Sequence, residues 1–537
     1  MKIRLLALVL FTMAAGLLPA QMDCEAEWLG GWDGSSFQYL KIKVKNSSLR
    51  EQKYSLAMAR FDNKGLITIQ DQSVGAGETR IHHVSLPNNI HTQVRFMPSE
   101  GGEKLIYPKN EVSPLLHIAP MEKWLNPTEV SDFVKVFPNH GFSTITQIEP
   151  DALPDKWLCH ASFCVIFLEE SSLKRASSTG YNQILSWVDA GGMLVIYNAE
   201  NDSYEAKMFG TIRHMKSRPF NPFDTLEEWK SGTSPWNRFC GSMIRDSSPY
   251  AVHEGAGKIG VFLLVTLFVI IAGPVNYFHF RSRKRLRRLL VSLPLLSAGF
   301  CLLIVLYFVG TQGFARRGGT VSLALLDEKT NRGFAYSSHC LYSGLYPMGG
   351  FRFDEQTLFM PMIQDQSFFR QPRGLEYDMD ITAGLNLKSG LFKPLENFEY
   401  LTATPFQTRE NLIYEPERKT VTNGFEKPIR GLVLEDAGSI YFAERIKPGE
   451  AASLKQQTGT SLEETFRSLM LNNEERRFFV QKMGTLLYQQ DSQSPAEKPG
   501  GAAQVRYMIR FEENPAYAKS GVRFKKAKIC PVLIGEK

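Results

Sequence analysis

Two pairs of adjacent residues near the middle of the chain have types that could do chemistry. Cys159 and His160 have the types of a nucleophile and a base, and Glu169 and Glu170 follow an apolar run, where α/β folds often place ligands. Adjacency in sequence does not aim one side chain at the other, so the first pair predicts no catalytic cysteine. For the second pair, the sequence favours exposed loop carboxylates over a binding site.

Other chemical signals in the chain are weaker. It has no His-Glu-x-x-His, no P-loop and no Gly-x-Ser-x-Gly. His82 and His83 would point to opposite faces of a strand, whereas a metal site needs converging ligands. We therefore expect surface histidines, no metal site, no cofactor and no catalytic residue.

The elements that must position the central residues alternate between strand and helix. A compact apolar strand runs from Phe163 to Leu168, and Cys164 within it is expected to act as a small hydrophobe. Ile184 and Val188 recur at helical spacing, and Gly191-Gly192 stops that helix before a strand from Met193 to Tyr197. This alternation predicts a parallel sheet with covering helices over residues 114–201.

Several short motifs resemble a known family. They are "LPDKWLCHASFCVIFLEESSL", "ILSWVDAGGMLVIYNAE", "AGPVNYFHFRSRKRLRR" and "NGFEKPIRGLVLEDAGSIYFAERIKPGE". Together they resemble uncharacterised bacterial two-span membrane proteins with a degenerate class I glutamine amidotransferase-like domain. The resemblance implies a flavodoxin/amidotransferase-like fold for residues 114–201 and says little about biochemical role.

The amidotransferase resemblance also bears on catalysis. An active enzyme of that fold needs a cysteine on a strained strand-to-helix elbow, flanked by glycines that leave room for the turn. The chain has no Gly-x-Cys-x-Gly. The resemblance therefore implies a module without amidotransferase activity.

Two long apolar segments predict membrane helices. Ile259 to Phe278 and Leu289 to Val309 contain no charge, and each has about the 20 residues needed to cross a bilayer. Core helices rarely stay apolar on all faces for this length. We place the first transmembrane helix at residues 258–280 and the second at 289–311.

The connection between these helices, residues 281–288, is a short basic loop. Six of its eight residues are cationic: Arg281, Arg283, Lys284, Arg285, Arg287 and Arg288. Short loops rich in Lys and Arg stay on the cytoplasmic side, so both flanking regions are expected outside. The chain's net charge of +7 falls to about +1 without these six, and such local basicity argues against a nucleic-acid partner.

The remaining segments complete the expected organisation. Residues 1–20 have the build of a signal peptide, 21–113 suggest a β-sandwich domain, and 202–257 read as a connector. Residues 318–537 predict a β-rich exported domain with one helix near 461–489. The seven cysteines, six of them expected outside, show no metal spacing, and their pairing stays open.

The sequence thus predicts a multidomain protein of the bacterial cytoplasmic membrane, with its N- and C-terminal domains on the periplasmic or extracellular side. We expect it to be non-enzymatic and to bind or scaffold an envelope protein partner while contacting the lipid bilayer. Two alternatives stay open. One is an accessory membrane subunit of a transport or export complex, and the other is an envelope enzyme with an unrecognised site near Glu169 or near Cys159 and His160.

Overall fold

The computed structural model describes most of the chain between residues 22 and 536. It leaves out 31–36, 61–64, 88–91, 111–112, 114, 131–144, 164, 207–209, 217–257, 284–287, 313–316, 344–349, 363–376, 391, 393–395, 458–460, 472–504, 519 and 521–525, besides both ends. The predicted signal peptide, most of the connector, Cys164, Lys284, Arg285, Arg287 and the helical prediction beyond residue 471 lie outside the described residues.

The described residues are mostly β-sheet, with two helices that are long and apolar enough to cross a membrane. The strands before those helices are β1 (Met22–Gly30), β2 (Phe37–Asn46), β3 (Gln52–Arg60), β4 (Gly65–Val74), β5 (Thr79–Pro87), β6 (Thr92–Pro98), β7 (Lys104–Ile106), β8 (Lys109–Asn110), β9 (Leu115–Ile118), β10 (Thr146–Ile148), β11 (Val165–Glu169), β12 (Met193–Tyr197), β13 (Ser203–Ala206) and β14 (Thr211–Met215).

The helices include two short elements beside the central strands, α1 (Trp157–His160) and α2 (Ser178–Asp189). We call the two helices that are long and apolar enough to cross a membrane the membrane helices. The first is α3 (Lys258–Ile270), which continues through a π-helical turn, Ile271–Val275, into α4 (Asn276–Ser282). The second is α5 (Leu289–Gln312), and α6 (Leu462–Met470) lies near the C-terminus.

The strands after the membrane helices are β15 (Arg317–Asp327), β16 (Arg332–Tyr342), β17 (Phe351–Phe353), β18 (Leu358–Met362), β19 (Tyr377–Asp380), β20 (Leu385–Gly390), β21 (Asn397–Gln407), β22 (Leu412–Glu415), β23 (Thr420–Asn423), β24 (Ile429–Asp436), β25 (Ser439–Ile446), β26 (Ala451–Ser453), β27 (Lys455–Gln457), β28 (Arg506–Phe511) and β29 (Lys526–Glu536).

One sheet combines strands that precede the membrane helices in sequence with strands that follow them. Its order is β17-β20-β19-β4-β3-β6-β7, and β4 pairs in parallel with β19 so that Gly65 lies opposite Tyr377. The backbone N–H of Gln70 donates to the Thr382 hydroxyl at 2.8 Å across this junction. A sheet of β5-β2-β1-β8 packs against it through alternating apolar residues such as Leu40, Ile42 and Leu56. Residues before and after the membrane helices therefore share a sheet as well as a core.

The central sheet has the order β10-β9-β11-β12-β14-β13. All pairings are parallel except that of the edge strand β13, and β11 is buried along its whole length. This agrees with the near-continuous apolar run that parallel strands need between two covered faces. The predicted strand Met193–Tyr197 is confirmed, and α2 ends before Gly191, whose φ of 110° a residue with a side chain rarely adopts.

The end of α2 joins the central sheet to the sheet that follows the membrane helices. This nine-stranded sheet has the order β18-β21-β16-β15-β29-β28-β24-β25-β27. From β16, the Arg332 guanidinium donates to the Asp189 carboxylate at 3.0 Å, and the Tyr336 hydroxyl donates to the Ala190 carbonyl at 2.8 Å. A cation at a helix C-terminus is also favoured by the helix dipole. One continuous apolar cluster, which includes Trp187 and Phe334, fills the space between them.

The two membrane helices form a hairpin. Near the loop end, the Asn276 side-chain amide donates to the Ser292 hydroxyl at 3.0 Å, and Phe268 contacts Phe300 with ring centroids 5.1 Å apart. The first helix continues to Ser282, so Arg281 lies in its last turn rather than in the predicted loop. Arg is a good helix former, and Arg281 can reach Tyr277 one turn back.

Candidate functional site

The chain reverses direction across the central sheet between β9 and β11. From β9 it passes to β10 on one side, and it then returns to β11 on the other side. In open α/β sheets, ligands bind outside the carboxyl ends of the strands at such a switch point. Here those ends are Ile118, Glu169 and, one strand further, Tyr197.

Glu169 ends β11 and is the buried charge at this edge. The residue is only 2 % exposed, so it is not the exposed loop carboxylate that the sequence favoured. The Lys123 ammonium lies 2.6 Å from its carboxylate, the Ser171 hydroxyl donates to it, and the Asn198 amide donates at 3.3 Å. Glu170 is half-buried and begins a 3₁₀ turn.

The charge state of Glu169 follows from these contacts. Burial alone raises the pKa of its carboxyl, but hydrogen bonds from Lys123, Ser171 and Asn198 outweigh burial and hold the pKa below its ordinary value. Glu169 is therefore ionised, and its carboxylate accepts hydrogen bonds from these three side chains. A carboxylate held in this way positions the loops around it and is poorly suited to take up a proton.

The residues around Glu169 were not singled out by sequence reasoning. Lys123 lies five residues after the end of β9, and Asn198 directly follows β12 with a φ of 58°. Two signals could have located them. One is a cation after a predicted strand, and the other is an Asn after another strand, because Asn tolerates the left-handed backbone region. Their convergence depends on the strand order.

We expect unequal effects from removing each member of this ion pair. Lys123→Met should lower the free energy of unfolding by about 2 kcal/mol, because it leaves a buried carboxylate without its countercharge. Solvent screening limits this loss, since the Lys123 side chain is 37 % exposed. Glu169→Gln should cost about 1 kcal/mol, because the freed ammonium can reach water. Urea denaturation of the detergent-solubilised protein measures both, and equal losses would contradict this account.

Cys159 and His160 lie at the opposite end of β11. They end α1, which precedes the strand and packs on β2 and β5. The five residues of β11 place this end about 13 Å from Glu169. The structure therefore does not bring the two pairs into one cleft, which is the support that a shared catalytic site would have needed.

Burial suppresses the reactivity of both residues. It raises the pKa of the Cys159 thiol to about 12, so the nucleophilic thiolate is strongly disfavoured. Burial, with a smaller contribution from nearby His83, lowers the pKa of His160 to about 3. Neither ring nitrogen of His160 has a hydrogen-bond partner among the described residues. An uncharged histidine beside an unionised thiol is not an activated pair.

The other two predicted histidines are half-buried rather than at the surface. His82 Nε2 lies 2.6 Å from the Tyr54 hydroxyl, and His83 Nδ1 lies 2.5 Å from the Tyr39 hydroxyl on the opposite face of the strand. Burial lowers both pKa values to about 4. Within the described ranges, no three His, Cys, Asp or Glu residues are grouped so that they could hold a metal ion.

His160→Leu is expected to stabilise the protein. A buried polar group without a partner costs about 1–3 kcal/mol, and leucine removes it. The folded pKa of about 3 lies below the ordinary 6.5, so His160 costs stability increasingly as the pH falls from 6.5. His160→Leu should therefore melt at a higher temperature than the unsubstituted protein at pH 7.5, and the difference between the two should be larger at pH 5.

His339→Leu is the matched control for His160. Its pKa is also lowered to about 3 by burial, but its two ring nitrogens lie 3.0 Å from the Thr320 hydroxyl and 2.9 Å from the Thr402 hydroxyl. Removing it leaves those hydroxyls without this partner, so stability at pH 7.5 should fall. A loss of stability in His160→Leu at pH 7.5 would instead show that its ring binds a group in the folded protein.

Comparisons with known proteins leave the site to be interpreted from its own geometry. No family model matches the chain, and no curated protein matches it significantly. A putative ApaA protein from Bordetella pertussis aligns at 10 % identity over 17 % of this chain and 98 % of its own, with a TM-score of 0.13. The yeast delta-COP-I mu-homology domain aligns at 4 % identity over 41 % of this chain and 96 % of its own, with a TM-score of 0.17. Scores this low do not relate the folds.

Proposed function

We propose that this chain is a non-enzymatic, membrane-anchored envelope protein that binds or scaffolds an envelope protein partner. One observation carries the proposal: residues before and after the helical hairpin share the β4–β19 pairing and one core. If the hairpin spans a membrane, both regions must lie on the same side. The hairpin then anchors one body.

The side of the membrane comes from the basic loop. Six cationic residues, from Arg281 in the last turn of the first helix to Arg288 just before the second, favour the cytoplasmic side for the loop. This assigns the body to the periplasmic or extracellular side of a bacterial cytoplasmic membrane. A signal peptide at residues 1–20 would deliver the same arrangement. Reporter fusions after Arg288 should report cytoplasm, and fusions after Gly319 should report the outside. The reverse pattern would overturn the orientation.

The central sheet is the part of the body we assign to recognition. Numbered within the sheet, its parallel strands run 2-1-3-4-5, which supports a flavodoxin/amidotransferase-like unit. Its switch-point edge carries the Lys123–Glu169 ion pair and the exposed side chain of Met121, while its only described Cys–His pair is buried at the other end. We assign partner binding to this edge and no reaction.

Site-specific photocrosslinking in intact cells tests the binding role. Met121, which is 66 % exposed, is replaced by a benzophenone amino acid, and Leu49, which is 80 % exposed on a turn after β2, serves as the matched control. We expect a discrete protein adduct from position 121 and none from position 49. No adduct from position 121, or equal adducts from both, would count against partner binding at this edge.

A further inference from the structure

A groove of about 800 Å³ runs between the two membrane helices, which we call the hairpin groove. Its lining includes Phe268, Gly273 and Tyr277 of the first helix and Leu289 and Leu293 of the second. Among the lining residues, only Ser297 carries an aliphatic hydroxyl. The hairpin groove extends along the half of the hairpin next to the basic loop, and its walls suit a hydrocarbon chain.

The π-helical turn in the first helix forms part of the wall of the hairpin groove. Pro274 lies inside this turn, where its ring removes a backbone N–H and displaces the preceding carbonyls. Gly273 beside it has no side chain, and a Cβ built there meets no heavy atom within 4 Å. The wall is therefore open where a larger residue would fill it.

Cationic residues flank the loop end of the hairpin groove. The Arg281 guanidinium donates to the Tyr277 hydroxyl at 3.4 Å, and its Cζ lies 5.9 Å from the centre of that ring. Arg288 directly precedes the lining residue Leu289, and both arginines are exposed. The apolar groove thus has Arg281 beside its lining residue Tyr277 and Arg288 next in sequence to its lining residue Leu289.

We propose that the hairpin groove binds one anionic phospholipid from the leaflet on the basic-loop side. The acyl chain lies against Gly273, and the phosphate meets Arg281 and Arg288. Basic pockets between transmembrane helices on the cytoplasmic side bind anionic headgroups. The inference rests on the membrane placement of the proposed function, but it requires no protein partner.

Charge favours a lipid over a second copy of the chain. Each copy carries six Lys and Arg residues between positions 281 and 288 of its sequence, and parallel association would bring these like charges together. An anionic lipid instead neutralises them. A zwitterionic lipid fills the apolar part equally well, so the arginines are expected to select the headgroup.

Native mass spectrometry of the full-length protein in detergent tests this selectivity. The protein is mixed with equal amounts of palmitoyl-oleoyl phosphatidylglycerol and palmitoyl-oleoyl phosphatidylcholine. We expect one retained phosphatidylglycerol per chain, preferred by about thirtyfold, since two arginines near the headgroup contribute about one kcal/mol each. Equal retention of the two lipids would overturn the proposal.

Two glycine variants locate the binding to the hairpin groove. Gly273→Leu should place a side chain where the acyl chain lies and strongly reduce lipid retention. Gly299→Leu is the matched control, because a Cβ at Gly299 of the second helix also meets nothing within 4 Å and Gly299 does not line the hairpin groove. Unchanged retention in Gly273→Leu, or equal losses in both variants, would place the lipid elsewhere.

The double variant Arg281→Gln, Arg288→Gln separates the headgroup from the chain. It should bind either lipid about equally, while four cationic loop residues still hold the topology. If the spectra showed a dimer that disappeared in Gly273→Leu, the occupant of the hairpin groove would be a second copy of the chain and not a lipid. These outcomes come from purified protein, so a failed lipid test is distinguishable from a failed crosslink to a partner in cells.

Discussion

A chain that ends after Gln312 is expected to enter the membrane but to form no protease-resistant body. It would lack β19, the strand that pairs with β4, and the sheet that covers α2. The apolar cluster shared by Trp187 and Phe334 would be half exposed, and exposed core surface of this kind removes most of the driving force for folding. Limited trypsin digestion of membranes, followed by immunoblotting, should show complete loss of the resistant fragment.

Coexpression of two fragments provides the control for this truncation. Residues 1–284 and 285–537 divide the chain in the basic loop, so each fragment keeps one membrane helix and every sheet pairing can form between fragments. We expect the resistant body to reappear when both are made together. A resistant core of full size from the truncated chain alone would show that the shared sheet is not needed for folding.

Trp157→Ala is expected to be the most damaging single substitution we can name. Trp157 is fully buried, its ring meets Phe334 edge-on at 5.1 Å, and its indole N–H donates to the Gln356 carbonyl at 2.7 Å. Truncating a buried Trp costs about 3–5 kcal/mol. Since these contacts join residues that precede the membrane helices in sequence to residues that follow them, we expect loss of the folded protein from membranes at the growth temperature.

Two further variants define the origin of this effect. Trp157→Phe keeps an aromatic ring and should cost less, chiefly the hydrogen bond of about 1 kcal/mol and some packing. Trp124→Ala is the matched control, because Trp124 is half-buried and its indole N–H donates at 3.0 Å to Ala119 within its own loop. If Trp124→Ala proved as damaging as Trp157→Ala, the contact between the two regions would not be the reason.

Elements with a local signal were predicted well from the sequence. The apolar spacing of Ile184 and Val188 and the glycines that follow them encode α2 and its end within a few residues. Length and the absence of charge are enough to identify two helices that are long and apolar enough to cross a membrane. The domain boundaries and the family resemblance stay predictions.

Features that depend on distant residues could not be read in the same way. Nothing near Thr68 indicates that its strand pairs with residues that follow the membrane helices, because pairing registers are not encoded locally. The burial of Glu169 likewise depends on Lys123, which approaches it only once β9 and β11 are neighbours. The sequence shows both residues but not their proximity.

The β4–β19 pairing also has a consequence for biosynthesis. The Thr68 hydroxyl bonds to the Met379 carbonyl, a residue made 311 positions later. At about 5–20 residues per second, this edge of β4 is complete roughly 15–60 s before its partner strand exists. Throughout that interval the nascent chain carries an unsatisfied strand edge, a template for misassembly. The body can thus close only at the end of translation, and anything that protects its early strands acts before then.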